Sequence, residues 1–326
     1  MIFGDFKKIF GVLIAVFAVW AANAEGPYLL DVGAPRHRLI YYANHELQKN
    51  DPEIEYAVIF IHGASGGGYD VADALRQKLA ATPEGKKVFL IAPSFYTEKT
   101  CRNREHRSVS LIWKGNWRGG GCSVNGNRIS SFEIADRIVS RLADRASYPN
   151  LRHILICGFS AGGQFVNRYV AVAELPTSSH VELSFAVGAP SIYLYIDGRR
   201  KSGGTFEVPS ETVRDYDSWY YGLEDRYAYA EKIGKEVILK NLSERYTLYL
   251  CGTNDTSRKS LKSTPAAMMQ GENRIDRFSI YRDYVSLFPE WQARTKFIAV
   301  PGLGHSREIF YRSRDFMDLV FGKRNR

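Results

Sequence analysis

Six short runs of apolar residues, each bounded by glycine, proline or polar residues, recur along the chain. Continuous runs of this length and rich in β-branched residues are typical of strands covered on both faces of a sheet. The runs occupy residues 57–63, 88–93, 153–158, 183–190, 246–252 and 296–302. The pattern therefore predicts the strands of a mostly parallel sheet.

Segments with apolar residues at helical spacing separate these runs. In the clearest of them Phe132, Ile134 and Ile138 recur on one helical face. The predicted helices cover residues 70–81, 131–145, a stretch beginning at 161, 275–288 and 307–320. Alternating strands and helices predict an α/β domain with helices on both faces of the sheet.

The first 24 residues have the pattern of a secretory signal peptide. Lys7 and Lys8 precede an apolar stretch over residues 9–22, and Ala22-Asn23-Ala24 offers small residues for cleavage. We therefore expect a mature chain of residues 25–326, secreted or periplasmic, with an uncleaved membrane anchor as the alternative. Because no later apolar run reaches 18 residues, no stable membrane association is expected after cleavage.

Composition limits the remaining function classes. Of the 326 residues, 45% are apolar and 24% charged, which excludes a disordered, collagenous or coiled-coil chain. The net charge of +9 alone would permit nucleic-acid binding. The basic residues are spread along the chain without a nucleic-acid motif, so we expect no nucleic-acid partner.

Two of the four cysteines are predicted to form a disulfide. Cys101 and Cys122 lie in one polar, glycine-rich segment, and loop cysteines of exported proteins usually pair. Cys157 and Cys251 end apolar runs and are expected to be buried thiols. No Cys-x-x-Cys or His/Cys cluster occurs, so we expect no metal site.

A G-x-S-x-G motif lies where the third apolar run meets a helix. Gly158-Phe159-Ser160-Ala161-Gly162 follows HILIC and precedes the helical QFVNRYVAVAEL. In this context glycines permit a sharp turn that exposes the serine hydroxyl at the end of the strand. Ser160 is thus the candidate nucleophile, with an ordinary glycine-rich turn as the alternative.

A second glycine-rich loop, from His62 to Gly68, directly follows the first apolar run. An HG loop at this position supplies one backbone N–H of an oxyanion hole, and the residue after the nucleophile, Ala161, supplies the other. We expect Ala64 to be the donor in the HG loop, or else Ser65. A phosphate-binding loop is the rival, but the required lysine and glycine spacing are missing.

An acid and a histidine follow later strands. Asp255 lies after the run LYLCG, and His305 lies after the last run with flanking glycine. A carboxylate can orient a histidine that takes the proton of Ser160. Asp197 competes with Asp255 for the acidic role.

Taken together, these residues resemble the α/β-hydrolase superfamily, in which nucleophile, acid and histidine follow in this order. The resemblance covers residues 36–322, and four segments are similar to a group of secreted hydrolases: SSFEIADRI, GFSAGGQFVNRYV, SWYYGLEDRYAY and TPAAMMQGENR. It implies a serine hydrolase that needs no cofactor. Esterases, lipases and polyester depolymerases share this fold, so the resemblance does not identify the substrate.

Two long segments interrupt the alternation and are expected to select the substrate. Segment 95–129 carries Trp113 and Trp117, which could stack on a substrate, and cations that could favour an acidic polymer. Segment 191–245 is interpreted as a cap insertion carrying Tyr193 and Trp219. For these four aromatic residues the alternative is ordinary packing.

The sequence therefore predicts an exported serine hydrolase that cleaves small-molecule or polymeric carboxylic esters through an acyl-enzyme. A peptidase or amidase on the same fold would use the same residues. The alternative outside the enzymes is a non-catalytic binding module on the same fold. Such a module would not require Ser160, Asp255, His305 and the HG loop together.

Overall fold

The structure, a computed structural model, describes residues 26–34, 36–64, 66–175, 180–210 and 213–324. The predicted signal peptide, residues 1–24, lies outside this range, and so does Ser65 of the predicted oxyanion loop. Among the described helices, none combines the length and the apolar character needed to cross a membrane.

The described residues contain twelve strands. In chain order they are β1 Tyr28–Asp31, β2 Arg38–Ala43, β3 Tyr56–Ile61, β4 Val88–Pro93, β5 Tyr96–Thr97, β6 Ile112–Trp113, β7 His153–Phe159, β8 Glu182–Gly188, β9 Arg200–Ser202, β10 Thr205–Glu207, β11 Tyr246–Gly252 and β12 Thr295–Val300. Eight of them form one sheet in the order β1-β2-β4-β3-β7-β8-β11-β12.

The six strands predicted from apolar runs are confirmed as the parallel part of this sheet. Strands β3, β4, β7, β8, β11 and β12 pair in parallel. β1 and β2 were not predicted, and they extend one edge of the sheet in antiparallel pairing. Because the six strands are parallel, their carboxyl ends, with the loops that follow, meet at the same edge of the sheet.

Helices connect the strands and cover the sheet. They are α1 Tyr69–Ala80, α2 Arg104–Val109, α3 Ser131–Leu142, α4 Ala161–Val172, α5 Ala228–Glu231, α6 Lys235–Glu244, α7 Pro265–Met268, α8 Arg274–Val285, α9 Pro289–Ala293, α10 Glu308–Tyr311 and α11 Arg314–Val320, with 3₁₀ turns at Pro83–Lys87 and Gly115–Gly119. The mostly parallel α/β architecture is thus confirmed.

Several helical segments differ from the prediction: one predicted helix is divided, and α2, α5, α6, α7 and α9 were not predicted. Segment 307–320 divides into α10 and α11, because the Ser313 hydroxyl accepts the Phe316 N–H at 3.3 Å and begins a new helix. Helix α6 lies inside the predicted cap insertion and was not predicted. Of its ten residues only Ile238 and Leu242 are buried, so the apolar pattern was too short to predict a helix.

The predicted Cys101–Cys122 disulfide is not formed in the structure, where all four cysteines are free. Cys101 is buried in a small apolar cluster with Ile40, Tyr96 and Ile112. Cys122 instead forms an isolated antiparallel β-bridge with Ser130, and it is partly exposed. The two thiols therefore occupy different environments of the same segment. Cys157 and Cys251 are buried, as expected from their apolar runs.

Candidate active site

Ser160 lies in a sharp turn between β7 and α4. Its backbone has φ 57° and ψ −107°, a conformation that L-residues rarely adopt. The Ser160 N–H donates to the Gly188 carbonyl oxygen at 2.8 Å, which ties the turn to β8. The strained backbone is thus fixed by the neighbouring strand.

The glycines of the motif allow the backbone segments to approach closely. A Cβ at Gly162 would lie 2.1 Å from the Ile61 carbonyl oxygen, and a Cβ at Gly158 would lie 2.4 Å from that of Gly162. No side chain fits at either position. The sequence pattern of small residues around Ser160 therefore has a steric cause.

The structure brings Ser160, His305 and Asp255 into one hydrogen-bonded chain. His305 Nε2 lies 3.0 Å from Ser160 Oγ, and His305 Nδ1 lies 2.8 Å from Asp255 Oδ2. The Phe159 ring packs beside the imidazole, with 4.6 Å between ring centroids. The arrangement suits transfer of the hydroxyl proton to the imidazole, with the carboxylate orienting the ring.

The loops that carry the acid and the histidine are bonded to each other. The Asn254 N–H donates to the Leu303 carbonyl oxygen at 2.8 Å, and the Gly302 N–H donates to Thr253 Oγ1 at 2.9 Å. β11 and β12 are parallel neighbours, so both loops leave the same edge of the sheet. This pairing holds Asp255 and His305 in register although 50 residues separate them.

The Asp255 carboxylate is fully buried, and its second oxygen faces a cation. Arg274 Nη1 lies 3.6 Å from Asp255 Oδ1, and Arg274 is 1% exposed. Burial lowers the pKa of the Arg274 guanidinium, and the Asp255 carboxylate opposes that shift. Sequence reasoning gave no role to Arg274, which lies at the start of α8 and ends the segment TPAAMMQGENR.

His62 joins two loops of the site and takes no part in the hydrogen-bonded chain. Its Nε2 accepts the Phe95 N–H at 2.9 Å, and its Nδ1 donates to the Gly63 carbonyl oxygen at 2.6 Å. Burial lowers the pKa of His62 to about 4, so the ring is neutral at neutral pH. His62 therefore fixes the HG loop against the loop after β4.

Of the predicted oxyanion donors, Ala161 and Ala64 both line the cleft at Ser160. Ala161 is the first residue of α4, and Ala64 is exposed. Ser65 lies outside the described residues. The two alanines thus lie beside the nucleophile, one at the start of α4 and the other in the HG loop.

The competing acid, Asp197, has other partners. Its carboxylate accepts from the Arg199 guanidinium at 2.7 Å and from the Tyr284 hydroxyl at 3.0 Å. His305 is bonded to Asp255 instead. The structure therefore favours Asp255 over Asp197 as the acid.

A cleft of about 460 Å³ opens beside Ser160. Its walls come from six parts of the chain: the HG loop, the turn around Gly115–Gly119, the N-terminal part of α4 with Ser160, and three later segments at residues 191–192, 220–227 and 260–262. The lining residues are Ala64, Gly115, Asn116, Arg118, Ser160, Ala161, Gln164, Ser191, Ile192, Tyr220, Tyr221, Tyr227, Ser260, Leu261 and Lys262. Part of segment 191–245 therefore lines the cleft, while its role as a cap stays a prediction.

The structure corrects the interpretation of Trp113 and Trp117 as a substrate platform. Both side chains are buried, at 1% and 3% exposure. Trp117 stacks on Phe95 at 5.6 Å between centroids, and Trp113 packs edge-on against the same ring at 5.2 Å. Both belong to the main hydrophobic core of the domain, where Trp117 also lies 6.4 Å from the ring of Phe165 on α4.

Tyr193 and Trp219 are also placed in the interior. Tyr193 is stacked on Tyr281 at 4.3 Å between centroids, and the Trp219 Nε1–H donates to the Gly119 carbonyl oxygen at 2.8 Å. Neither residue lines the cleft. The aromatic residues that do line it, Tyr220, Tyr221 and Tyr227, belong to the same tyrosine-rich segment, so composition pointed to the segment and not to the residues.

No group of three or more His, Cys, Asp or Glu side chains in the described part of the chain is arranged to hold a metal ion. The site consists instead of a hydroxyl, an imidazole and a carboxylate, with backbone amides beside them. These groups can transfer protons and form an ester with an acyl group without a bound ion.

Comparison with known proteins identifies the fold. No family model matches the chain, and no curated protein matches it. Poly(aspartic acid) hydrolase-1 from Sphingomonas sp. KT-1 superposes with a TM-score of 0.60 and 20% identity, over 87% of this chain and 94% of its own. The poly(3-hydroxybutyrate) depolymerase LpqC from Bordetella parapertussis gives 0.60 and 17%, over 93% and 92%.

A third solved structure, the siderophore hydrolase EstA from Aspergillus nidulans, superposes with a TM-score of 0.51 and 11% identity. It covers 93% of this chain and 96% of its own. At these identities the likeness is one of fold, and it extends over nearly the whole described chain. The resemblance drawn from the sequence is confirmed at this level: the chain has the α/β-hydrolase fold.

Proposed function

We propose that the chain is a serine hydrolase that cleaves carboxylic esters. The observation that carries this proposal is the hydrogen-bonded chain from Ser160 through His305 to the buried Asp255. It lies at the carboxyl edge of the parallel sheet and opens into a cleft. A hydroxyl that can pass its proton to a neighbouring imidazole becomes nucleophilic and can attack an acyl carbon.

The reaction follows from the atoms that face each other. Ser160 Oγ attacks the acyl carbonyl while His305 Nε2 takes its proton, and the imidazolium is stabilised by Asp255. The backbone N–H groups of Ala161 and Ala64 stabilise the negative oxygen. His305 then gives the proton to the departing alcohol, and water releases the acyl group from Ser160 by the reverse steps. The mechanism requires no cofactor.

The substrate proposal draws on the names of two structures with a similar fold. By their names, two of the similar structures are a depolymerase of poly(3-hydroxybutyrate) and a hydrolase of poly(aspartic acid). We therefore place the substrate among small-molecule or polymeric acyl compounds, with esters preferred. An amide-cleaving enzyme would use the same residues and is separated by comparing a 4-nitrophenyl ester with the 4-nitroanilide of the same acid.

Labelling with a fluorophosphonate probe tests the proposed nucleophile. We expect one probe per chain, attached to Ser160, because the probe reacts with an activated serine and not with an ordinary one. Intact-mass and peptide mass spectrometry measure the adduct. Ser160→Ala should abolish it, whereas Ser108→Ala, at an exposed hydroxyl that does not line the cleft, should label normally. An unlabelled, folded wild-type chain would instead indicate a non-catalytic binding module.

We further propose that the chain is exported and cleaved after Ala24. This proposal rests on the sequence of residues 1–24. Expression of the full chain in a bacterial host should give a product in the periplasm or medium whose N-terminus is Glu25, as read by mass spectrometry. Replacing Ala22 and Ala24 with bulky residues should block cleavage. A product that keeps residues 1–24 and stays membrane-bound would establish the anchor alternative.

A further inference from the structure

The cleft beside Ser160 is lined by two cations and by no carboxylate of the described residues. Arg118 enters from the Gly115–Gly119 turn, and Lys262 enters from the loop after β11. The other polar lining groups are neutral, namely amides and hydroxyls. A cleft of one charge sign concentrates ligands of the opposite sign.

These two cations have no counter-charge within the described part of the chain. Arg118 is half-buried and donates its Nε–H to the Gly115 carbonyl oxygen at 3.1 Å. Lys262 is exposed, and its backbone N–H is held by Ser191 Oγ at 2.7 Å. Elsewhere on the surface, cations such as Lys201 pair with carboxylates, here Asp283 at 2.8 Å. The positive charge of the cleft is therefore available to a ligand.

A third cation lies behind the cleft wall. Arg168, on α4, is fully buried and has no carboxylate partner among the described residues. It donates to the carbonyl oxygens of Gln164 and Tyr220, and its Nε–H is unpartnered. Its guanidinium lies 5.1 Å from the ring centre of Tyr220, which faces the cleft. Burial lowers the pKa of Arg168 to about 10, so it remains charged at neutral pH.

The basic character continues beyond the nucleophile. Asn116 and Tyr227 line both this cleft and an adjoining one of about 510 Å³. The adjoining cleft contains Lys114 and Arg128, both exposed, and none of the residues lining it is acidic. The two clefts therefore adjoin at Asn116 and Tyr227, and cations line both of them. Together they are called the groove, and its charge suits an extended anion as well as a small one.

We propose that this groove binds acyl substrates that carry carboxylate groups close to the scissile bond. The inference deepens the proposed function and rests on it, since it concerns the same site. Arg118 and Lys262 are the residues that contact the carboxylate, and Arg168 adds attraction from behind Tyr220. Charge complementarity of this kind mainly raises the association rate and the selectivity for one substrate over another.

A matched pair of rigid esters tests the proposal. The 4-nitrophenyl esters of 4-carboxybenzoic acid and 4-carbamoylbenzoic acid have nearly the same shape and differ by one negative charge. Wild-type enzyme should cleave the anionic ester with a kcat/KM about fivefold higher or more, and added salt should reduce this ratio. Arg118→Gln and Lys262→Gln should each lower the ratio of kcat/KM for the anionic ester to kcat/KM for the neutral ester, because the charge that favours the anionic one is removed.

Lys240→Gln is the matched control, because Lys240 is an exposed lysine of α6 that pairs with Glu244 and does not line the groove. It should leave both esters unaffected. A wild-type ratio of one or less, or equal losses for both esters in Arg118→Gln and Lys262→Gln, would overturn the proposal. Failure of the folded enzyme to cleave either ester would instead contradict the proposed hydrolase function, so the two failures are distinguishable.

Discussion

Ser160→Ala is expected to lower ester turnover by about 10⁴-fold or more, with folding intact. The change removes the hydroxyl that His305 Nε2 contacts at 3.0 Å, and alanine offers no other nucleophile. His305→Ala should cost a similar factor, since the proton of Ser160 then has no acceptor. The double variant should be little worse than either single one, because the two groups act as a unit. Initial rates with a 4-nitrophenyl ester, alongside circular dichroism, measure these effects.

Asp255→Asn and Asp197→Asn provide a matched pair for the same prediction. Asp255→Asn should reduce turnover by less than the loss of Ser160, since it leaves nucleophile and base in place. Asp197→Asn should leave turnover nearly unchanged, because that carboxylate is bonded to Arg199 and Tyr284. Retained activity in a folded Ser160→Ala chain would refute the triad. A damaging Asp197→Asn with a harmless Asp255→Asn would reassign the acid.

The parallel core was predictable because five of its six strands are buried along most of their length, the edge strand β12 being the exception. The run HILICGF of β7, for example, is buried at every position, so its composition alone reveals it. β1 was missed because its residues Tyr28–Asp31 are only four and alternate between half-buried and exposed. A short edge strand gains its structure from pairing with β2, and that partner cannot be read from the strand itself.

The nucleophile was predictable because its geometry demands small residues. At Gly162 a Cβ would lie 2.1 Å from the Ile61 carbonyl oxygen, so only glycine fits there. The sequence around Ser160 shows this requirement directly as a motif of small residues. Arg274 and Lys262 had no such signal. Arg274 begins α8 and Lys262 lies in the loop after β11, and each reaches the site through contacts with parts of the chain that are distant in sequence. Their local sequence therefore resembles that of ordinary surface cations.

The roles of the aromatic residues could not be predicted from composition. A tryptophan in a long loop fits both a binding platform and a local core, and burial alone distinguishes the two. Trp117 packs on Phe95 and His62, so it belongs to the core. The cysteines posed the same difficulty: Cys101 and Cys122 share a loop, yet one packs among apolar side chains and the other does not.

Trp117→Ala is expected to destabilise the fold by about 3–5 kcal/mol, the usual cost of truncating a buried aromatic residue. The indole stacks on Phe95 at 5.6 Å and lies 4.9 Å from the His62 ring, so its removal leaves a cavity beneath the loops that carry the site. For a domain of this size the loss corresponds to a drop in Tm of roughly 5–15 °C. Differential scanning calorimetry measures it.

Kinetics on the surviving folded fraction distinguish packing from substrate contact. Because Trp117 is 3% exposed and does not line the cleft, the KM of Trp117→Ala should stay close to that of the wild type when assayed well below its Tm. Trp117→Phe keeps a ring to stack on Phe95 and should recover much of the lost stability. An unchanged Tm together with a raised KM would show instead that Trp117 contacts the substrate. Removing a solvent-facing aromatic residue costs the fold little stability, whereas the substrate loses a binding contact.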